Sequence, residues 1–416
     1  MSRTLHRAAR LLRAWRDERG NVAIMFALAT PVLIGGAGLA VETSLDYLTH
    51  SHLQSAADAA AYAAAIESMG GSNAATIRAA ASQQATANGW PALGNGLVVN
   101  TPPTSGANQG QTNAVEVQLT QNAPRFFTAL FNNRPMTIRV RSVAITQTAA
   151  NACILALNRT ASQAVNFQGN TNVTLNGCDV VSDSVATDGI NVWGSSTMSA
   201  DCAMSSGGVT NHGGMSLTGC SSPVTQSPRV ADPFVSVQAP TQPNGHQNVP
   251  NGNQHGTLTL QPGNYTNGMS LQGNVALNPG VYYVSGGDFN VNAGAVVTGP
   301  GVTIYLAAGS NVRMNGNATV TMSAPTSGAY SGMLFFGDRN GSGTNIFDGT
   351  ASSSLTGNIY FPSQAVAYQG NFAGANGCTH VVADTVQWTG SSTVSVSCAN
   401  QGMSPIPARQ AVKLVE

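Results

Sequence analysis

RDERGNVAIMFALATPVLIGGAGLAVETSLDYLTHSHLQSAADAAAYAAAIESM, residues 16–69, is the stretch that decides the fold of this chain. Residues 22–41 carry no charge and are rich in Ala, Leu, Ile, Val and Gly, and about 20 such residues can cross a bilayer core as one helix. The sequence therefore predicts a transmembrane helix over 21–41. Its predicted anchor residues are Val22, Phe26, Leu28, Pro31, Leu33, Gly35, Gly36, Gly38 and Val41.

Basic residues are concentrated on one side of the predicted span. Residues 1–20 form an Arg-rich leader, and no Lys or Arg follows until Arg78. The positive-inside rule places this leader in the cytoplasm and the rest of the chain outside. We therefore expect a single-pass protein of the bacterial inner membrane with a periplasmic or surface-exposed C-terminal region. A cleaved signal peptide is the alternative, although the apolar run is long for one and continues directly into a helix.

The composition indicates an exported protein. Only 8% of the residues are charged, against about 25% in an ordinary domain. The region beyond the span is mildly acidic, so nucleic acid is not an expected partner. All six cysteines lie beyond the span, which fits an oxidising compartment.

The helix is expected to continue beyond the membrane. Residues 42–69 contain neither Pro nor Gly, and eight of the ten residues in 56–65 are Ala, the best helix former. Gly35, Gly36 and Gly38 suggest a surface for a partner helix, with a lone anchor as the alternative.

The order of motifs in this region points to a family. An RDERGNVA start, an apolar run and LQSAADAAAYAAA at 53–65 together resemble the N-terminal region of the TadG/TadE-like proteins of the tight-adherence, or Flp pilus, assembly system. The resemblance is clear over 16–70 and loose to 150, and its motif residues are Gly20, Asn21, Gln54 and Asp58. It implies inner-membrane pilus or secretion machinery as partners, bound through the N-terminal helix, and it implies no catalysis and no cofactor.

Two departures limit what the resemblance implies. Processed pilins carry Glu five residues after the cleaved Gly, and the position counted from Gly20 is Met25, so we expect an uncut anchor. Some longer family members end in a von Willebrand A-type domain with a DxSxS metal site, and this sequence contains no such motif.

Residues 42–150 are predicted to form a pilin-like helix with a small antiparallel sheet. Ala114–Thr120 and Thr137–Thr146 alternate apolar and polar residues, as half-buried strands do. Four apolar residues between them have helical spacing and are expected in the core rather than at a binding site: Phe126, Phe127, Leu130 and Phe131.

Beyond residue 150 the sequence consists of short β-branched runs separated by Gly, Asn, Ser and Asp. This pattern predicts a right-handed parallel β-helix, with a β-sandwich as the alternative, and an α+β chain overall. The predicted parts are a first solenoid section (151–222), a Pro-rich linker or excursion (223–256), the main β-helix (257–400) and a tail (401–416). Because the cysteine spacings approximate one coil, three clamps between neighbouring coils are predicted: Cys153–Cys178, Cys202–Cys220 and Cys378–Cys398.

Catalytic and ligand sites receive little support. Asp183, Asp188 and His212 are the candidates for glycoside hydrolysis, but the adjacent acidic pair that such an enzyme uses is missing, so we expect two turn residues and a loop histidine. Asp288 follows two glycines as in a calcium-binding repeat, but the unit is not repeated, and no metal is expected. Seven aromatic residues either form a sugar-binding ladder or fill the interior: Trp193, Tyr265, Tyr282, Tyr283, Tyr330, Tyr368 and Trp388.

The sequence thus predicts a non-enzymatic, membrane-anchored component of tight-adherence pilus assembly or secretion that contributes to adhesion. A glycan or other surface ligand is the candidate partner of the β-helix. The alternatives are a surface carbohydrate-active β-helix enzyme and an anchored adhesin unrelated to pili.

Overall fold

The computed structural model describes residues 21–91, 96–250, 256–350, 352–370, 378–390, 393–396, 403 and 405–416. The chain forms two compact units, the first built from residues up to 67, 73–145 and 412–416, and the second from 68–72 and 146–411. A long apolar helix, a small antiparallel sheet and a parallel β-solenoid are present. The predicted α+β class is therefore confirmed.

The first unit combines two helices with a three-stranded sheet. Its elements are α1 (Asn21–Met69), α2 (Ala74–Ala87), β1 (Leu97–Asn100), β2 (Ala114–Ala123) and the first part of β3 (Met136–Ala156). The strands pair antiparallel in the order β1–β2–β3. Helix α2 begins after Asn73, whose side chain accepts a hydrogen bond from the Thr76 N–H and caps the helix.

The second half of α1 packs on this sheet through small side chains. The buried residues recur at helical spacing along one side of the helix: Leu53, Ala56, Ala57, Ala60, Ala61, Ala64 and Ala65. They contact sheet residues such as Val117, Leu119 and Val140 in one core cluster. The Ala-rich stretch that predicted a continued helix is therefore also the helix side of this core.

The second unit contains short strands that follow β3. They are β4 (Val165–Phe167), β5 (Asn172–Leu175), β6 (Asp179–Ser182), β7 (Ile190–Val192), β8 (Thr197–Ala200), β9 (Ala203–Ser205), β10 (Val209–Asn211), β11 (Gly214–Leu217), β12 (Thr257–Leu260), β13 (Gly263–Tyr265), β14 (Met269–Leu271), β15 (Asn274–Leu277), β16 (Gly280–Val284), β17 (Phe289–Val291), β18 (Val296–Gly299), β19 (Val302–Leu306), β20 (Val312–Met314), β21 (Thr319–Ser323), β22 (Met333–Gly337), β23 (Thr344–Phe347), β24 (Ser354–Tyr368), β25 (Thr379–Trp388), β26 (Thr393–Val396) and β27 (Ile406–Leu414).

The end of β3 and strands β4 to β26 form a three-faced solenoid of about ten coils, in which strands pair in parallel with their counterparts in the next coil. One face runs β12–β15–β18–β21–β24, and a matching sheet runs β26–β5–β8–β11. The second face runs β13–β16–β19–β22–β24–β25–β3–β6–β9. The third runs β14–β17–β20–β23–β24–β25–β4–β7–β10.

The coils are not stacked in the order of the sequence. Strand β25 pairs with β3 and β4, so that Val382 lies opposite Leu155 and Trp388 opposite Phe167. The chain therefore enters the solenoid in its middle, winds to one end through β11, and restarts at the opposite end with β12. It then winds back until it meets its own starting coil. The first section and the main β-helix predicted from the sequence are one continuous solenoid.

The junction between β25 and β3–β4, which we call the seam, continues the interior without interruption. Asn158 donates hydrogen bonds from its side-chain amide to both carboxylate oxygens of Asp384, 226 residues away in the sequence. Inside, the rings of Tyr368, Trp388 and Phe167 stack, with centroids 5.2 and 4.9 Å apart. Parallel coils of similar shape pair by geometry, so chain order does not limit which coils become neighbours.

One corner of the solenoid consists of stacked glycines on both sides of the seam. Gly370, Gly390, Gly169 and Gly194 have φ values of 64°, 80°, 86° and 75°, in the left-handed region. A Cβ on Gly390 would lie 3.0 Å from backbone atoms of Gly370. The corner therefore requires glycine for both backbone conformation and space.

Residues 221–250 connect the two ends of the solenoid, and we call this segment the strap. Along its length the Val230 N–H donates to Oδ1 of Asp183 at 2.8 Å, and Arg339 donates to the Phe234 carbonyl at 2.8 Å. Further on, the Asn264 side chain donates to the Pro243 carbonyl at 2.9 Å. The Pro-rich segment thus runs along the solenoid and contacts it at several points.

The strap also covers apolar surface on the second face. Val230 and Phe234 are buried in an outer cluster with Phe336 and Tyr360, and the Phe234 and Tyr360 rings meet edge to face at 5.3 Å. The Tyr360 hydroxyl donates to Asp232 at 2.6 Å. Covering this face explains why strands such as β19 and β22 are buried along their whole length.

Two of the three predicted disulfides are present. Cys153 pairs with Cys178 and Cys202 with Cys220, with Cα atoms 5.6 and 5.4 Å apart, and each joins neighbouring coils. The third predicted pair lies outside the described residues because Cys398 does.

The C-terminal tail continues beyond β27 along β3. The Val415 N–H donates to the Val143 carbonyl, and the Val143 N–H donates to the Glu416 carbonyl. These bonds add the end of the chain to the sheet of the first unit as a further strand.

Candidate functional site

The first half of α1 contacts little of its own chain. Its most apolar window has a mean hydropathy of 2.1 and no buried residue. Phe26, Leu28 and Leu33 all have more than half of their surface exposed. A helix of this length with apolar residues on every side needs an apolar surrounding, so α1 is a candidate membrane anchor.

The connection between β2 and β3, residues 124–135, contacts α1 at the end of the apolar run, and we call it the hairpin loop. Glu42, the first charged residue after the run, is 5% exposed. Its carboxylate accepts hydrogen bonds from the Phe126 N–H at 3.1 Å, the Thr128 N–H at 2.7 Å and the Thr128 hydroxyl at 2.7 Å. Three donors make burial of a carboxylate tolerable and attach the loop firmly to the helix.

A second contact lies one helical turn before Glu42. The Phe127 ring lies directly against Gly38, where a Cβ would overlap the ring, and its Cζ is 4.0 Å from the position of a Cβ on Gly35. No atom lies within 4 Å of a Cβ built on Gly36. Two of the three predicted interface glycines therefore face the hairpin loop, and Gly36 is open.

The hairpin loop overturns the prediction that its apolar residues belong to the core. It contains one 3-10 turn, Thr128–Leu130, rather than a helix. Phe126, Leu130 and Phe131 are 65%, 82% and 79% exposed. The physical reason is that the face of the sheet where a core helix would pack is already covered by the alanines of α1.

The motif residue Gln54 attaches α1 to the sheet, and the motif residue Asp58 accepts a second hydrogen bond from it. The Gln54 side chain donates to Asp58 Oδ1 at 2.8 Å and to the Arg141 carbonyl of β3 at 3.0 Å. Of the other motif residues, Gly20 lies outside the described residues, and α1 begins at Asn21.

Arg141 also belongs to a buried ionic cluster. Its guanidinium contacts Glu116, which is fully buried, and Glu416. Burial would raise the pKa of Glu116, but hydrogen bonds from Asn100, Arg141, Ser105 and Thr104 outweigh it and hold the pKa well below its usual range. The carboxylate therefore stays charged inside the unit.

A pocket of about 320 Å³ lies beside α1, beyond the apolar run. The helix supplies Leu45, Leu48, Thr49, His52 and Leu53, and the facing residues are Gly89, Trp90 and Gln121. Its mixed apolar and polar lining is suited to a side chain of a partner protein.

The candidate catalytic residues of the solenoid each have a separate contact. Asp183 is buried and binds the strap through the Val230 N–H, Asp188 accepts a hydrogen bond from Ser162 at 2.6 Å, and the exposed His212 ring meets Trp193 edge to face. No hydrogen bond joins any two of these three described residues. Each of the three therefore makes a contact of its own.

The aromatic residues proposed for a sugar-binding ladder lie mostly inside the solenoid. Tyr265, Tyr282, Tyr368 and Trp388 are buried, whereas Trp193 is 55% exposed. Tyr283 and Tyr330 are partly exposed and join the outer cluster on the second face. The interior interpretation is thus correct for four of the seven, and a continuous exposed ladder is absent from this set.

Metal-binding candidates are equally sparse in the part of the chain that the structure describes. It contains no group of three or more His, Cys, Asp and Glu residues that could hold a metal ion. Asp288 instead pairs with Arg313 at 2.6 Å and accepts a hydrogen bond from the Asn311 N–H at 2.9 Å. The expectation of no metal stays a prediction.

The burial of Asp183 predicts a pH-dependent stability of the solenoid. Desolvation raises the pKa of Asp183 from the ordinary value of 3.8 to about 7. The Val230 N–H and two arginines oppose this increase only in part. The folded chain then holds this proton more tightly, so the stabilisation is complete below pH 4 and lost as the pH rises through 7. Raising the pH from 5 to 8 should cost the wild type on the order of 2 kcal/mol more than Asp183→Asn.

Urea unfolding at both pH values tests this prediction. Asn can still accept the hydrogen bond from Val230, so the variant should fold. Asp188→Asn, on a partly exposed neighbour, is the control and should retain the pH dependence of the wild type. Equal pH dependence in Asp183→Asn and wild type would contradict the proposed role of Asp183.

Together these features define a class of protein whose described residues contain one exposed apolar helix, a helix-and-sheet unit and a β-solenoid. Residues 20–67 match the family model described as "Putative Flp pilus-assembly TadE/G-like". No curated protein and no solved structure matches the chain. The predicted resemblance is confirmed over the matched residues, which include Gln54 and Asp58, and its loose extension to residue 150 stays a prediction.

The attachment of the hairpin loop to α1 was not predicted from the sequence. Glu42 and Thr128 are its central residues, and Phe127 adds the contact with Gly38. The one available signal was an isolated acidic residue directly after an uncharged run. It does not identify a partner 86 residues away.

Proposed function

We propose that this chain is a membrane-anchored, non-enzymatic component of Flp-type pilus assembly or the related secretion machinery. The observation that carries the proposal is that the family match coincides with α1, whose first half is exposed and apolar. The Arg-rich leader supports an orientation with a cytoplasmic N-terminus in the inner membrane.

Partner proteins of the machinery would bind along α1. Gly36 is an open small residue within the apolar run, where a partner helix can approach closely. The pocket that includes Leu48 and Trp90 lies farther along the same helix and is a second candidate contact. Both lie within or just beside the matched residues 20–67.

The solenoid would supply a rigid surface for adhesion. Its disulfides, strap and continuous seam hold the coils in one body, and solenoids offer extended surfaces for ligands. Asp183, Asp188 and His212 each have a different partner, which supports this role over glycoside hydrolysis. An anchored adhesin unrelated to pili is the remaining alternative.

Co-purification from native membranes tests the pilus assignment. The full chain, tagged at its C-terminus and expressed at its native level, should co-purify with inner-membrane proteins of a pilus-assembly system. Gly36→Leu should lower their recovery about tenfold, because a bulky side chain at a helix contact prevents close approach. Quantitative mass spectrometry of the purified material provides the measurement.

Ala27→Leu is the matched control, since about 100° per residue places Ala27 on the opposite side of the helix from Gly36. Its recovery of partners should equal that of the wild type. Absence of pilus-assembly proteins from the wild-type material would refute the assignment. An equal loss in both variants would refute the role of the Gly36 side.

A further inference from the structure

We propose that the hairpin loop is a second membrane contact, in which Phe126, Leu130 and Phe131 enter the bilayer interface beside α1. This inference rests on the proposed membrane anchoring. It adds a lipid-binding site in the sheet-bearing unit, outside the residues that match the family model.

The depth of the loop follows from its contacts with the helix. Glu42 ends the uncharged run and binds the loop backbone, and Gly38, which contacts the Phe127 ring, lies about 6 Å earlier along the helix at 1.5 Å per residue. The loop therefore lies at the level of the last turn of the apolar run. When α1 spans a membrane, this level corresponds to the bilayer interface on the side of the sheet.

The side chains of the loop suit this position. Its three outward apolar residues are each at least 65% exposed, next to a helix segment that is itself exposed and apolar. Phe and Leu are among the residues with which interfacial segments enter the boundary between headgroups and acyl chains. Transfer of these three apolar side chains from water into the neighbouring bilayer is favourable.

The charges of the loop favour lipid over water or a basic partner. Residues 124–135 read PRFFTALFNNRP, with Arg125 and Arg134 and no acidic residue. The Arg125 Nε donates to the Arg134 carbonyl at 3.0 Å, so the two basic residues lie together at the base of the loop. Anionic headgroups attract basic residues next to an inserted apolar segment.

The consequence is a two-point attachment. Glu42 and Gly38 hold the loop against the helix. Insertion of the loop therefore restricts both the rotation of α1 about its own axis and its tilt relative to the membrane. Interfacial anchors are the features that set helix tilt in membranes. The loop leaves the Gly36 side of the helix uncovered. It would thus fix the direction in which this side faces within the membrane.

Site-specific photocrosslinking in a lipid bilayer tests the proposal. The full chain carries p-benzoylphenylalanine in place of Phe131, Phe26 or Val235 and is reconstituted into vesicles of phosphatidylethanolamine and phosphatidylglycerol. Phe26 reports on the anchor, and Val235 on the strap, 65% exposed, is the apolar control. After irradiation, mass spectrometry quantifies lipid adducts on the peptides.

We expect an adduct yield at position 131 within about threefold of that at 26 and about tenfold above that at 235. Lipid adducts at 26 without adducts at 131 would overturn the loop proposal and leave the anchor intact. Absence of adducts at both would overturn the anchor and the loop together. Crosslinks from 131 to a second copy of the chain in place of lipid would also overturn the proposal.

Phe126→Ser/Leu130→Ser/Phe131→Ser provides an independent measurement. These side chains are exposed, so the variant should unfold in urea as the wild type does. With a benzophenone probe at position 133, an exposed residue of the loop, lipid adducts should fall at least about fivefold in the triple variant, because the loop no longer favours the interface. An unchanged yield would show that the apolar side chains do not hold the loop in the bilayer.

Discussion

Trp388→Ala should lower the free energy of unfolding of the solenoid by about 3 to 5 kcal/mol, the range for truncating a large buried aromatic residue. The Trp388 ring is 1% exposed and stacks between Tyr368 and Phe167. Its loss would leave a cavity at the seam, where strands from distant parts of the sequence pair. Urea unfolding in detergent with the disulfides intact measures the change.

Trp193→Ala is the control for this variant. Trp193 also lies in the solenoid, but it is 55% exposed and contacts the ring of His212. Its removal should cost less than about 1 kcal/mol. Similar losses in the two variants would show that the seam does not depend on the aromatic stack.

Glu116→Ala should destabilise the helix-and-sheet unit by about 2 to 3 kcal/mol, because it removes a buried charged acceptor of several hydrogen bonds. The variant removes the acceptor that the Asn100, Thr104 and Ser105 side chains share, and it leaves Arg141 paired with Glu416. Hydrogen exchange of β2 and β3 during a urea titration reports the stability of this unit separately from the solenoid.

Asp288→Ala is the surface counterpart. Its partner Arg313 is half exposed, and exposed ion pairs contribute about 1 kcal/mol or less. The variant should therefore shift the unfolding of the solenoid only slightly. A small effect of Glu116→Ala, comparable with that of Asp288→Ala, would contradict the role assigned to the buried cluster.

Much of the architecture could be predicted because it depends on local patterns. The alanines of α1 have helical spacing, and residues 42–69 contain no helix-breaking Gly or Pro. The short runs of the solenoid are bounded by turn residues. Asn also joins coils within the strands, since the Asn191 side chain of β7 donates to Asn166 of β4 at 2.8 Å. Local spacing also predicted the Cys153–Cys178 and Cys202–Cys220 clamps.

The candidate site could be predicted only in part. The apolar length of α1 and the motif that contains Gln54 and Asp58 were visible in the sequence, whereas the environment of the Phe residues was not. Helical spacing at 126–131 suggested a core position, but the chain turns there because the sheet is already covered by α1. Whether an apolar residue is buried depends on which surface is still free.

The sequence by itself determined the helix, the strand-rich solenoid and the family of residues 20–67, since each depends on the type and spacing of neighbouring residues. Only the tertiary structure decided the order of the coils, the course of the strap and the attachment of the hairpin loop to Glu42. These features join residues far apart in the chain, as Asn158 and Asp384 are. Coils with similar edges can pair in several orders, and their packing in three dimensions selects among them.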